Sequence, residues 1–162
     1  MGQVVQRTRK AWLVILALVV VGLVYATHRS LAEQGQTLAK NSPRFTKASD
    51  GVITDSLTGL QWYVNPSPAN TWHQAKAWAE HLTVAGGGWR LPTMAELKGI
   101  YQKGASGTNM DPLFDAQGVW VWSGEVVDPM FARGLAFYNG WEWVHGMNYG
   151  YGRLAFAVRS RR

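Results

Sequence analysis

Apolar positions along the chain change their period three times. Residues 11–27 carry no charge, and Leu13, Val14, Ile15, Leu16, Val19, Val20 and Val21 leave them no polar face, the pattern of a helix that meets lipid all round. At about 1.5 Å per residue the run reaches roughly 26 Å, near the roughly 30 Å hydrocarbon core and longer than most signal-peptide cores. Arg7, Arg9 and Lys10 precede it, so the positive-inside rule keeps residues 1–10 as a cytoplasmic tail. The pattern predicts a transmembrane anchor over 11–27, single-pass in the inner membrane, with residues 28–162 periplasmic or extracellular. Val24-Tyr25-Ala26 and Ser30-Leu31-Ala32 are small-residue sites where the same segment is alternatively removed as a signal sequence. Residues 28–44 are polar and read as a stalk.

Beyond the stalk, residues 45–162 pattern as one globular domain. Residues 51–55 and 60–64 form a predicted hairpin, with Leu60, Trp62 and Val64 alternating onto one face. Thr71 and Gln74 make a capping box, followed by Trp72, Ala75, Trp78, Ala79 and Leu82 at helical spacing. A second helix opens at Pro92 and Thr93, with Glu96 at its third position and Met94, Leu97, Ile100 and Tyr101 on its apolar side, and ends near Gly104. The last third is glycine-rich and strand-like at residues 119–123, 134–138, 141–145 and 154–159, with Asn139-Gly140 as a two-residue turn. Two strands, two helices and then a small antiparallel sheet predict an α+β fold with its helices on one side of the sheet.

Charge narrows the function. Residues 1–44 hold 6 basic and 1 acidic side chains, residues 45–162 hold 10 and 9, so the excess of 6 positive charges in the 162-residue chain lies almost wholly outside the domain. The domain has no basic patch of the kind that phosphates require, and nucleic acid is not an expected partner. With no Cys, disulfides, thiolate metal sites and Cys nucleophiles are excluded. The four His show no metal spacing, and Asp111, Asp115 and Glu125 read as solvated loop carboxylates rather than calcium ligands. No cofactor is expected, and no nucleophile–base pair points to an enzyme.

The remaining chemistry is aromatic. Alternation turns Trp141, Trp143 and His145 to one face of their strand. Asn148, Tyr149, Tyr151 and Arg153 follow in a loop punctuated by Gly, an adaptable composition typical of binding surfaces. These seven residues are the candidate ligand site; the alternative is that the two Trp simply form the core of the sheet.

Asp55-Ser-Leu-Thr-Gly-Leu-Gln-Trp62, Trp72-x-x-Ala75, Gly88-Trp-Arg-Leu-Pro-Thr-x-x-Glu-Leu97, Asp111-Pro-x-Phe114, Trp122-Ser123 and Val158-Arg159 together resemble the Lcl C-terminal domain family over about residues 45–160. The resemblance implies an exported bacterial domain of C-type-lectin-like fold, and in the adhesin that names the family it is associated with attachment to sulfated polysaccharides. Family members commonly carry a Cys pair at positions that match Ala79 and Ala157. The Trp-Arg-Leu-Pro-Thr block itself reads as scaffold, with Arg90 expected to satisfy carbonyls or a carboxylate such as Asp55. The expectation for function is a membrane-anchored, exported, non-catalytic module that binds a glycan or a protein. The alternative is an accessory subunit of a larger membrane complex.

Overall fold

The computed structural model describes residues 23–29, 43–67, 71–105, 107–116 and 120–161. The chain divides into two units, Met1–Ser42 and Pro43–Arg162. In the first unit residues 23–29 are helical, with the Thr27 hydroxyl donating to the Val24 carbonyl at 2.8 Å. No helix among the described residues is long and apolar enough to cross a membrane, against the expected transmembrane helix; residues 11–22 of that segment lie outside the described residues.

The second unit is mostly β. Its strands are β1 (Phe45–Lys47), β2 (Ile53–Asp55), β3 (Leu60–Val64), β4 (Trp120–Asp128), β5 (Phe131–Ala136), β6 (Trp141–Gly146), β7 (Arg153–Leu154) and β8 (Phe156–Ser160), with helices α1 (Trp72–His81) and α2 (Met94–Ile100) between β3 and β4. They form two four-stranded sheets, ordered β1-β2-β3-β8 and β6-β5-β4-β7. The expected α+β domain with two helices and one small antiparallel sheet is therefore corrected to a two-sheet, predominantly β architecture, and the C-type-lectin-like expectation falls with it. Three features escaped the sequence pattern. Strand β1 has only three residues. The outer half of β4 carries Val126 and Val127 exposed, so no alternation marks it. Strand β7 contributes two residues, and it pairs with β4 in parallel through Trp120↔Arg153 and Val121↔Leu154.

Both sheets feed both halves of the core. In β8, Phe156 and Val158 enter one cluster with Ile53, Trp62, Leu97 and Leu135, whereas Ala157 enters the other with Ala79, Trp89, Trp122 and Trp143. A strand covered on both faces has no polar alternation to display. Ala79 and Ala157 are both fully buried in this second cluster. Each large side chain buried this way contributes about 1.5–3 kcal/mol.

The capping signals are realised. Thr71 with Gln74 and Thr93 with Glu96 form reciprocal capping boxes. Helix α2 ends at Ile100, four residues earlier than Gly104 suggested. Arg90 does not reach Asp55: its Nη1 and Nη2 donate to the two Glu96 oxygens at 2.8 and 2.7 Å. Asp55 is instead held by Arg44 (2.9 and 2.7 Å), Thr58 (2.8 Å) and the Leu57 N–H (3.0 Å). Burial alone would raise the Asp55 carboxyl, but these donors outweigh it and hold it below the usual carboxylate range. Asn139-Gly140 is the end of a four-residue turn, not a two-residue one: Ala136 pairs with Trp141, and the Gly140 N–H donates to the Ala136 carbonyl at 2.7 Å. Phe137 is buried inside that turn, which demands the extra length.

Candidate ligand-binding site

Strand β6 places Trp141, Trp143 and His145 on one face, as alternation predicts, yet their surroundings differ. Trp143 is core, 2% exposed and 4.5 Å from Trp122 centroid to centroid, whereas Trp141 is 56% exposed. Trp143 lies across Gly134, its direct partner on β5. A Cβ at Gly134 would fall inside the Trp143 ring and against the Val121 carbonyl, so only glycine permits this packing.

The parallel pairing of β7 with β4 carries Arg153 to the edge of this floor. Its guanidinium carbon stands 4.5 Å from the Trp143 ring, 4.7 Å from Trp120 and 5.1 Å from Tyr149. Tyr149 stacks on His145 at 5.2 Å and 24°, and His145 meets the Trp143 edge at 5.5 Å. Trp120 extends the surface to Tyr138 at 5.4 Å and Trp141 at 6.0 Å. Five of the seven predicted residues, Trp141, Trp143, His145, Tyr149 and Arg153, thus belong to one continuous arrangement. Asn148 and Tyr151 are exposed beside it, and among the described residues no ring contact holds Tyr151. Sequence reasoning missed Trp120 and Tyr138. The Trp-x-Trp spacing at 120 and 122 was the available signal, but only the parallel β4–β7 pair brings Trp120 under Arg153.

The electrostatics of this face are unbalanced. Arg153 is 6% exposed, and among the described residues no carboxylate or carbonyl accepts from its guanidinium; its Nε is sealed off without a partner, as is the Trp143 Nε1. Burial lowers the Arg153 pKa from its ordinary value, and Tyr149 partly opposes that. His145 is lowered from 6.5, first by burial and then by the Arg153 charge. Among the described residues its neighbours are a cation and two rings, and no acid pairs with it.

Elsewhere the polar side chains are engaged in structure. The Asp111 carboxylate caps the Pro112–Phe114 turn through the Leu113 N–H, and Glu125 accepts from the Met94 N–H at the start of α2. Asp111, Asp115 and Glu125 do not assemble, and among the described residues no three His, Asp or Glu side chains form a metal-binding group. Cavities of about 160 Å³ beside Lys47, Asn65 and Asp115 and about 210 Å³ beside Arg44, Trp62 and Glu96 are lined by none of the seven predicted residues.

No curated protein matches the chain significantly. The Lcl C-terminal domain profile matches residues 51–159, from the turn before β2 to the penultimate residue of β8. That span includes strands β2 to β7, all but the last residue of β8, both helices and every residue of the aromatic face, but not β1, and the chain belongs to the Lcl C-terminal domain family.

Proposed function

We propose that this chain is an exported binding module that holds a glycan on the β6–β7 aromatic face without catalysing a reaction on it. The observation that carries this reading is a continuous ring cluster with two exposed members, Trp141 against Trp120 and Tyr149 against His145, which in turn meets the buried Trp143. Rigid flat side chains fixed from behind suit stacking on a sugar ring and lose little conformational entropy on binding. His145, lacking an acidic partner, is not built as a general base. Export rests on the uncharged apolar run behind Arg7, Arg9 and Lys10, and is checked by protease added to spheroplasts, which should digest residues 43–162.

A glycan array probed with the full chain tests the binding reading. Tyr149→Ala with Tyr151→Ala should weaken the bound glycans by about 1–2 kcal/mol or more and leave the melting temperature nearly unchanged. Unchanged affinity in that double variant, with loss on altering Asp111 or Glu125, would move the site to the earlier loops.

One observation favours the second reading, an accessory subunit of a membrane complex. The β4–β5 hairpin ends in Val126, Val127, Met130 and Phe131, all exposed, an apolar tip suited to a protein partner. A stoichiometric partner retained after mild detergent extraction would support it.

A further inference from the structure

Arg153 is the group that the fold leaves unexplained. A guanidinium presents five N–H donors and does not lose its charge in a protein. Burying it is costly unless acceptors are supplied. Here the described residues supply ring faces, Trp120, Trp143 and Tyr149 within 5.1 Å, and none of them accepts a hydrogen bond from the guanidinium. Cation–π attraction offsets part of the desolvation, but a ring accepts none of the in-plane N–H bonds. The fork is therefore prepared on its faces, and with Nε sealed off its two Nη groups are the donors left for a ligand.

We propose that the aromatic face selects a carboxylated sugar, whose carboxylate pairs with the Arg153 fork while its ring lies against Tyr149. This rests on the glycan-binding reading above and specifies the class of glycan. A planar carboxylate matches a guanidinium in two parallel hydrogen bonds, and a surrounding of Trp and Tyr strengthens the pair by excluding water. Charge argues for one anionic group per contact rather than a dense polyanion. Residues 45–162 hold 10 basic against 9 acidic side chains. Arg133 and Lys98 pair with Glu142 on the opposite face of β5–β6 and add no cation to this one. A polyanion bound by counterion release needs several free cations together, and among the described residues this face offers one, Arg153.

The probes are oligogalacturonate, a hyaluronan oligosaccharide and sialyllactose, each beside its methyl ester, with neutral galacto-oligosaccharide and a heparin oligosaccharide, titrated into the full chain in mild detergent. At least one acid should bind, and its ester, uncharged and larger by one methyl group, should bind about ten-fold more weakly or worse. Esterification varies the ligand alone, so the comparison holds whatever the variants do to folding. Arg153→Met should erase the acid–ester preference, and Arg153→Lys should restore a fraction of it. Equal affinity for acid and ester, or for the neutral oligosaccharide, overturns the carboxylate assignment while leaving the aromatic face as a glycan site. Binding of the heparin probe alone, with a steep salt dependence, overturns it in favour of charge density. Silence from every probe overturns this assignment and the glycan-binding reading together.

Discussion

Arg153 and Arg159 offer a controlled comparison within one molecule. Both are buried, 6% and 7% exposed, and both stack on tryptophan, Arg153 on Trp120 and Trp143 and Arg159 on Trp89 at 4.4 Å. They differ in what meets their N–H groups. Arg159 donates from Nε to Gln61 Oε1 at 2.9 Å and from Nη1 to the Ala85 and Gly87 carbonyls. It thereby fastens the turn before Trp89 to the last strand. Arg153 donates to no described residue. A buried cation with its acceptors built in is part of the scaffold; a buried cation without them is a place where an acceptor is to be brought.

The largest expected effect breaks the scaffold member. Arg159→Met keeps an apolar stem against Trp89 but removes three charge-assisted hydrogen bonds and leaves the Ala85 and Gly87 carbonyls to find other donors. It should cost about 2–4 kcal/mol in denaturant unfolding, at the scale of hydrogen bonds to charged groups. A loss under about 1 kcal/mol would show that Arg159 holds nothing that packing does not already hold, and the contrast with Arg153 would dissolve.

Next in size is Gly134→Ala. The added methyl meets the Trp143 ring and the Val121 carbonyl, and neither yields without moving the sheet, so overpacking of about 1–3 kcal/mol is expected. Because Trp143 is one of the rings under Arg153, near-ultraviolet circular dichroism should change with the stability. An unaltered aromatic spectrum would mean that Trp143 is not seated by Gly134.

These two sites also mark how far the sequence was legible. Helix starts were, because Thr71 with Gln74 and Thr93 with Glu96 are local chemistry confined to four residues each. The β2–β3 hairpin was, because Trp62 alternates with polar neighbours. The family was legible from its tryptophan-rich blocks, and the candidate ring residues from β6 alternation. The two-sheet architecture was not. Which strands pair is decided by contacts between distant segments, such as Tyr63 with Ala157 and Trp120 with Arg153, and no local period encodes them. Arg90 meets a carbonyl and a carboxylate as expected, the Leu91 carbonyl and Glu96, but the carboxylate is the capping residue six positions on and not Asp55. The isolation of Arg153 was equally invisible, since the absence of acceptors is a property of the folded surroundings.

Smaller is the stability effect on the other arginine. Arg153→Met removes a desolvated charge together with its ring contacts, and these terms oppose each other. Unfolding free energy should therefore change by less than about 1 kcal/mol, well short of Arg159→Met under the same denaturant. A loss equal to that of Arg159→Met would make Arg153 a structural member too and remove the ground for treating its open edge as a binding feature.

The smallest expected effect is read at His145, which senses Arg153 without hydrogen bonding to it. Its pKa lies below 6.5 because burial disfavours the imidazolium, and the Arg153 charge adds to that. A base whose folded pKa is lowered contributes stability that is complete above its unfolded value and is lost as pH falls from there toward the folded value. Removing the cation should raise the His145 pKa, narrowing that window, but burial should keep it below 6.5. Titration of the His145 ring proton by NMR in the native chain and in Arg153→Met checks both halves. If the charge of Arg153 is open to solvent and screened, the two titrations will coincide; if it is held within the ring cluster as the geometry indicates, the variant's midpoint will stand higher. The same titration with a carboxylated ligand bound should shift His145 upward in the native chain alone, because the carboxylate cancels the cation that the variant lacks.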